Sequence, residues 1–157
     1  MAIDDTARES NIKDSIKRFL VDNIYSTSGI AISFDKGLTV PKVQGTVDSV
    51  KKWVSVRWGV LQISTVAEYS LQLYLCSKQD KEGFKLAQLR DTVMGYLTDS
   101  TQNDGGRRVI LYKSNVTPWT ELGSFIIYID GESGGVELDD KTKCKIIDIT
   151  LRWGCKG

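Results

Sequence analysis

The acidic segment at residues 130–140 holds the densest set of chemically active side chains in this sequence. It contains five carboxylates and three glycines. Calcium binds six to eight oxygen ligands, which such a segment could supply, but the spacing of these acids does not match an EF-hand loop. Acidic residues in glycine-rich hairpin loops are usually solvated. We therefore predict an exposed loop over residues 130–142 and no metal site.

Histidine is absent from the chain. Its absence excludes Ser–His and Cys–His nucleophilic systems and removes the most common general base and metal ligand. The three cysteines, Cys76, Cys144 and Cys155, lack the spacing of a metal site, and Cys155 continues a core-facing row. We predict reduced thiols, with Cys155 acting as a small core residue, and neither catalytic residues nor a cofactor.

Two pairs of adjacent basic residues lie beside predicted turns. They are the pairs at 51–52 and 107–108, and Lys42 is a further basic position. Such side chains can contact phosphates or the carboxylates of a partner, but exposed charge also occurs without any partner. The glycine pairs at 105–106 and 134–135 lack the sequence context of a phosphate-binding loop, so we interpret them as turns.

Two of the four tryptophans fall outside the predicted core rows. Trp53 is out of phase with Val54 and Val56, and Trp119 follows Pro118 in a predicted loop. Aromatic residues in such positions are enriched at protein interfaces. A β-prone arm is also predicted over residues 35–52. We predict subunit or partner contacts from this arm, these tryptophans, the basic residues and the acidic loop: Val40, Lys42, Val43, Lys51, Lys52, Trp53, Arg107, Arg108, Trp119, Glu137, Asp139 and Asp140.

The composition is that of an ordinary folded domain. The 157 residues include 21 basic and 20 acidic side chains, so a net charge of +1 gives no overall reason to bind nucleic acid or membrane. No apolar run approaches the length of a membrane span, and the polar, acidic start does not resemble a signal peptide. We predict one domain over residues 1–157, made and assembled in a cytoplasm.

Two segments show the periodicity of amphipathic helices. The first covers residues 9–25, with Asp5 or Thr6 as the predicted cap. The second covers residues 81–98, is capped by Asp80, and has an apolar side formed by Leu86, Leu89, Val93 and Leu97. Gly95 lies inside this helix, where it either marks close packing against the sheet or lies near the fraying end, and we favour close packing.

Alternating apolar and polar residues predict six strands, at 30–34, 53–58, 61–77, 109–112, 125–129 and 145–153. The fourth is a short apolar core strand, and the fifth is apolar enough to be buried on both faces. The run 61–77 would extend about 55 Å, too long for a domain with a radius of gyration near 15 Å. It must bend, split or project, and we predict that its outer part packs with the 35–52 arm on a neighbouring subunit.

The element order α-β-β-β-α-β-β-β predicts the α+β class. We expect a single domain with a mostly antiparallel sheet, a mixed sheet being the alternative, and both helices on one face.

Several of these elements resemble those of a bacteriophage tail terminator, or tail-completion, protein. The resemblance rests on the first helix, the strand pair across residues 53–77, and the helix Glu82-Gly-Phe-Lys-Leu-Ala-Gln-Leu-Arg-Asp-Thr-Val-Met-Gly-Tyr-Leu97. It implies a non-enzymatic virion protein, assembled in the host cytoplasm. The protein would form a hexameric ring that caps the head-proximal end of the tail tube and offers a docking surface to the head connector.

The partners that this resemblance implies are further copies of the chain, the tail tube protein, head connector or neck proteins, and a sheath if the tail is contractile. DNA would pass only as cargo in the lumen, and no membrane is involved. The alternatives are another neck or tail-tube-like component and a small ligand-binding regulatory α/β domain. An enzyme that uses carboxylates or tyrosine is the least favoured reading.

Overall fold

A computed structural model describes residues 3–35, 51–80, 82–138 and 141–155. The two α-helices are α1 (Glu9–Leu20) and α2 (Phe84–Leu97), and α1 lies between a 3-10 helix at Asp5–Ala7 and a π-helical segment at Val21–Thr27. The six strands are β1 (Ala31–Phe34), β2 (Lys52–Gln62), β3 (Val66–Ser77), β4 (Arg107–Lys113), β5 (Thr120–Glu137) and β6 (Lys143–Gly154). Most of the predicted 35–52 arm lies outside the described residues.

The six strands form one sheet in the order β1-β2-β3-β6-β5-β4. Every neighbouring pair is antiparallel except β1 with β2, which is parallel. The predicted α+β class, with a mostly antiparallel but mixed sheet, is confirmed. The chain adds the 3-10 helix and the π-helical segment to the predicted order of elements.

Both helices pack on the same face of the sheet. Alternate side chains of the central strands point to this face and join the helices in one buried cluster. The helical members include Ile12, Ile16, Leu20, Leu86, Leu89, Val93 and Leu97, and the strand members include Val54, Val56, Leu71, Leu73, Leu75, Phe125, Ile127, Ile147, Ile149 and Leu151. The period-2 and helical patterns therefore predicted the faces of these elements correctly.

The start of α1 differs from the prediction. Asp4, and neither Asp5 nor Thr6, supplies the cap, because its carboxylate accepts the Thr6 N–H at 2.9 Å and so caps the 3-10 helix. Arg8 precedes α1 without a side-chain capping bond. The helical path then continues through the π-helical segment, which buries Ile24.

The long run 61–77 splits into two strands around a turn at residues 63–65, where the Ser64 hydroxyl donates to the Val66 carbonyl at 2.7 Å. The alternation did not reveal this turn because the paired residues nearest to it, beyond the bulge, are an even number of positions apart. Leu61 lies opposite Tyr69, for example, so the pattern keeps its phase through the hairpin. A bulge lies between Trp58 and Leu61, where Gly59 and Val60 fall outside the regular pairing.

Helix α1 closes part of the sheet edge at β4. The Tyr112 N–H donates to Ser15 Oγ at 2.8 Å, and the Ser114 N–H donates to Asn11 Oδ1 at 3.1 Å. Asn11 and Ser15 are both buried. Unpaired backbone groups on an edge strand can recruit another chain, so these two polar residues both satisfy and protect the edge.

Strands β4 and β5 are less buried than predicted. Leu111 is buried on β4, whereas Ile110 is exposed. On β5, Phe125 and Ile127 are buried but Ile126 is only partly so, which corrects the expectation of burial on both faces. No described helix covers the second face, so alternate residues of β5 remain accessible there.

Gly83, and not the predicted Asp80, is the N-cap residue of α2, but the Asp80 carboxylate still binds the start of the helix. Its Oδ2 atom accepts the Leu86 N–H at 2.9 Å and the Ser77 hydroxyl at 3.1 Å. Burial by itself would raise the pKa of Asp80, but the backbone bonds from Leu86 and Lys85, the bond from Ser77 and the charge of Lys143 hold this pKa below its usual value. The ionised carboxylate therefore stabilises the start of the helix.

Gly95 does not pack closely against the sheet, which corrects its predicted role. It is exposed, and a Cβ atom placed on it would meet no atom within 4 Å. Gly59 differs, because a Cβ atom there would lie 2.3 Å from the Ser70 carbonyl oxygen. The glycine at 59 is thus required by close approach, and the glycine at 95 is not.

Replacing Asp80 by alanine should lower the free energy of unfolding by about 1–2 kcal/mol at neutral pH, because two helix-start amides lose their acceptor. The folded-state pKa is lowered, so the stabilisation is present above the unfolded-state pKa of about 4 and is lost as the pH falls through the folded-state value. Urea unfolding should be measured at neutral pH and near pH 3. The difference in free energy of unfolding between Asp80→Ala and the wild type should be smaller at the lower pH. Glu82→Ala, which removes an exposed carboxylate, is the control; an Asp80→Ala difference independent of pH would contradict this role of the carboxylate.

Gly95→Ala should raise the free energy of unfolding by about 0.5–1 kcal/mol, because alanine has the higher helix propensity and the site has room for its methyl group. Gly59→Ala is the matched comparison and should be destabilising. Thermal and urea unfolding of both variants measure the two effects. A loss of stability in Gly95→Ala would show that the glycine has a packing role after all.

Candidate interaction surfaces

The strand register defines two ends of the sheet that differ in character. Lys52, Ser77, Lys143 and Glu137 are successive partners across β2, β3, β6 and β5, and we call this row the charged end. The opposite end of β3 lies at Val66, roughly 35 Å away at the usual rise per residue. The two ends are therefore separate surfaces.

The hairpin tip, residues 60–66, is apolar and exposed. Val60 is 65% exposed, Ile63 45% and Val66 52%. The sequence contains no charged residue between Arg57 and Glu68. Clustered exposed apolar side chains without charge are typical of interaction sites.

The hairpin tip is held in place from β6. The Cys155 N–H donates to the Thr65 carbonyl at 3.1 Å, and Val66 lies opposite Gly154. The apolar side chains are thus presented on a backbone that is tied to the central strands. This arrangement suits recognition by a partner, because a backbone that is already held in place loses little conformational entropy on binding.

The charged end contains three of the predicted contact residues. Lys51 and Lys52 are exposed, and Lys51 Nζ donates to Gln79 Oε1 at 2.7 Å. Glu137 is exposed at the end of β5. The predicted contacts Val40, Lys42, Val43, Asp139 and Asp140 lie outside the described residues.

The acidic segment is mostly strand, which corrects the prediction of a loop over residues 130–142. Strand β5 continues to Glu137, with bulges between Ile129 and Gly131 and between Ser133 and Val136. Glu132 accepts two bonds from Arg90 of α2, at 2.8 and 2.9 Å. This bidentate contact lowers the pKa of Glu132 and raises that of Arg90. Asp130 accepts a bond from the Thr150 hydroxyl.

Arg107 and Arg108 do not form one basic patch. Arg107 Nη2 donates to the Gly95 carbonyl of α2 at 3.3 Å, so it extends toward the helix-covered face. Arg108 Nη1 donates to Ser124 Oγ at 2.8 Å across β4 and β5. Successive residues of a strand point to opposite faces, which is the physical reason for the separation.

The two tryptophans predicted as contacts have different environments. Trp53 is only 1% exposed and packs with Ala31, Cys76 and Cys144 on the second face of the sheet, so it is not a surface contact. Trp119 is partly exposed, and its ring lies 5.9 Å from that of Tyr112. The Arg18 guanidinium lies over both rings, 4.8 Å from the centre of the Tyr112 ring and 5.4 Å from that of Trp119.

The second face of the sheet carries polar pairs between strands. Arg152 binds Glu68 at 2.7 Å, and Gln72 Nε2 donates to Asp148 Oδ1 at 2.8 Å. The Arg57 guanidinium lies 5.2 Å from the Tyr74 ring. A shallow cavity of about 290 Å³ opens among these groups and is lined by Arg57, Ser70, Gln72, Asp130 and Asp148, among others. Its side chains can offer hydrogen bonds and charge to a partner.

Within the described part of the chain, no group of three His, Cys, Asp or Glu side chains could hold a metal ion. Neither described helix has the length and apolar character that crossing a membrane requires.

The alternating sequence pattern did not predict that the hairpin tip is exposed. It assigned Ile63 to the buried phase of a single strand, because the alternation continues through the turn. The signal that could have revealed the tip was the charge-free stretch from Trp58 to Ala67 in a chain with 26% charged residues.

Comparisons with known proteins address the fold only. No protein-family model matches the sequence, and no curated protein matches it. Ten chains of solved structures match. One of these, whose name states no function, aligns with a TM-score of 0.57 and 8% identity over 92% of this chain and 94% of its own. At this identity the likeness shows a shared fold and nothing about activity.

Proposed function

We propose that this protein is a structural component of a bacteriophage virion. In this proposal it forms a ring, a hexamer by the resemblance to tail terminators, which caps the head-proximal end of the tail tube, stops tube polymerisation and provides the docking surface for the head connector. The observation that carries the proposal is the exposed, uncharged hairpin tip of β2 and β3.

The hairpin tip supports self-assembly because its apolar surface is costly to leave in water. Three large aliphatic side chains are at least 45% exposed within seven residues. In a cyclic ring each subunit contacts its neighbour head to tail, so one surface of the chain meets a different surface of the next copy. An exposed apolar hairpin tip is well suited to one half of such a contact.

The difference between the two ends of the sheet supports the docking role. A ring between tube and connector needs two unlike faces, and this chain has an apolar end and a charged end. Charge on a docking surface favours the correct orientation and speeds encounter more than it raises affinity. Because Arg107 and Arg108 extend to opposite faces, we assign the docking charge to the segment around Glu137 and not to an arginine patch.

The second candidate is a small ligand-binding domain, and the cavity on the second face is the observation that favours it. Its volume of about 290 Å³ lies at the lower limit of known ligand sites. Two of its polar groups, Gln72 and Asp148, already bind each other. Multi-angle light scattering separates the candidates: six times the chain mass, with rings in electron micrographs, is expected for the terminator, and a monomer would overturn this proposal.

Replacing Val60, Ile63 and Val66 together by serine should abolish ring formation and leave a folded monomer. These side chains are exposed in the single chain, so their loss should change the melting temperature little. Light scattering and circular dichroism provide the two readouts. Phe84→Ser is the matched control, since Phe84 is 66% exposed but lies on α2. Normal rings from the triple variant would contradict the role of the hairpin tip.

Reversing the charge of Glu137, Asp139 and Asp140 to lysine should leave stability and ring formation intact but prevent the joining of heads to tails. The expected reason is loss of electrostatic complementarity at the connector. Complementation of a phage lacking this gene, scored by infectious yield and by free heads and tails in micrographs, is the measurement. Asp91→Lys changes an exposed carboxylate on α2 and is the control. A normal yield from the triple variant would contradict a docking role for these carboxylates.

A further inference from the structure

Two cysteines that are far apart in the sequence face each other in the sheet. Cys76 of β3 is the register partner of Cys144 of β6, and their sulfur atoms are 3.3 Å apart. Both side chains are at most 1% exposed. They belong to a small cluster with Trp53 on the second face of the sheet, away from the main core.

The cysteine pair lies close to the ends of its strands. Cys76 precedes the last residue of β3, and Cys144 follows the first residue of β6. Leu138 packs against the cluster from the turn between β5 and β6. Strand ends and turns open locally at a lower free energy than strand centres, so this position offers a route for a reagent to reach buried thiols.

We propose that Cys76 and Cys144 form a disulfide by exchange with a low-molecular-weight disulfide such as oxidised glutathione. The thiolate of one cysteine attacks the reagent, forms a mixed disulfide and releases one glutathione. The second thiolate then attacks the protein sulfur of that mixed disulfide and releases the other glutathione. The two cysteines lose two protons and two electrons in all, and the reagent gains them as two thiols.

The geometry suits this bond because the two residues are already opposite each other. The sulfur atoms need to approach by only about 1.3 Å to reach the length of a disulfide bond. Cross-strand neighbours on one face have Cβ atoms close enough for direct contact. No change of register is needed.

Cys155 is excluded from this reaction by its position. It packs with the main core cluster on the helix-covered side, where the Thr6 hydroxyl lies 3.8 Å from its sulfur. It therefore serves as an internal reference thiol in the same chain.

Exchange should be slow in the folded protein. The hydrogen bond between the two thiols and their burial both raise the pKa of Cys76 above its ordinary value. Few thiolates are then present at neutral pH, and reaction proceeds through the local opening of the strand ends. A higher pH should accelerate it.

The disulfide should stabilise the fold. It would close a loop that contains α2, β4 and β5, and so restrict the unfolded chain. The chain-entropy relation predicts a rise in melting temperature on the order of 10 °C for a loop of this length. When dithiothreitol reduces the disulfide again, the protein should return to its original melting temperature.

The test uses the native full-length protein, incubated with oxidised glutathione at mildly alkaline pH, then acid-quenched and alkylated under denaturing conditions. Intact mass should show the loss of two hydrogens with one alkylated thiol. Non-reducing peptide mapping should identify a link between Cys76 and Cys144. The Cys155→Ser variant should form the same link with no alkylated thiol, and Cys76→Ser should not form it.

Three results would overturn the proposal: Cys76 and Cys144 both remain alkylatable, the link includes Cys155, or the link forms only in denaturant. The wild type and Cys155→Ser retain the native pair, so the decision does not depend on whether Cys76→Ser folds. None of these readouts depends on ring formation, so the inference stands or falls separately from the proposed virion role.

Discussion

The uninterrupted pairing of β3 with β6 fixes the positions of the other strands and of both helices. Twelve consecutive residue pairs join these central strands, from Val66 with Gly154 to Ser77 with Lys143, without a shift in register. Because side chains alternate between faces, this register sets leucines of β3 beside isoleucines of β6 under the two helices. A slip by one residue would turn that whole apolar row to solvent. Burial of the core and the strand register therefore specify each other.

The same register determines the second face of the sheet. With the apolar rows placed under the helices, Gln72 must lie beside Asp148, Glu68 beside Arg152 and Cys76 beside Cys144. These pairs hydrogen-bond across strands that the core holds together. Isolated surface ion pairs contribute little stability, so their arrangement is better understood as a consequence of the core than as its cause. Packing on the helix-covered face fixes the strand register, and this register in turn places the residues that line the cavity and form the thiol pair.

The edges and ends of the sheet decide where another molecule can bind. Asn11 and Ser15 of α1 cover part of the β4 edge with side-chain hydrogen bonds, which opposes uncontrolled pairing with a further strand. The β2–β3 hairpin, by contrast, exposes aliphatic side chains at its tip. The β4 edge is partly covered, and the hairpin tip exposes apolar side chains. This combination is consistent with contact to another molecule at one defined surface. The charged end, about 35 Å away, is a surface of unlike character.

The α+β class, both helices and the buried faces of β3 and β6 could be predicted from the sequence, because each follows from the period of neighbouring residues. An acidic side chain that binds the start of α2 could be predicted as well, although the N-cap position itself is Gly83. The sequence did not reveal the turn at 63–65, since an even spacing of partners keeps the alternation in phase, nor the extension of β5 through the acidic segment. Four other features follow from contacts in the folded chain: Trp53 is buried, Arg107 and Arg108 separate, Gly95 has open space beside it, and Cys76 meets Cys144. Each of these depends on residues distant in the chain, and a local pattern contains no information about which distant residue becomes the neighbour.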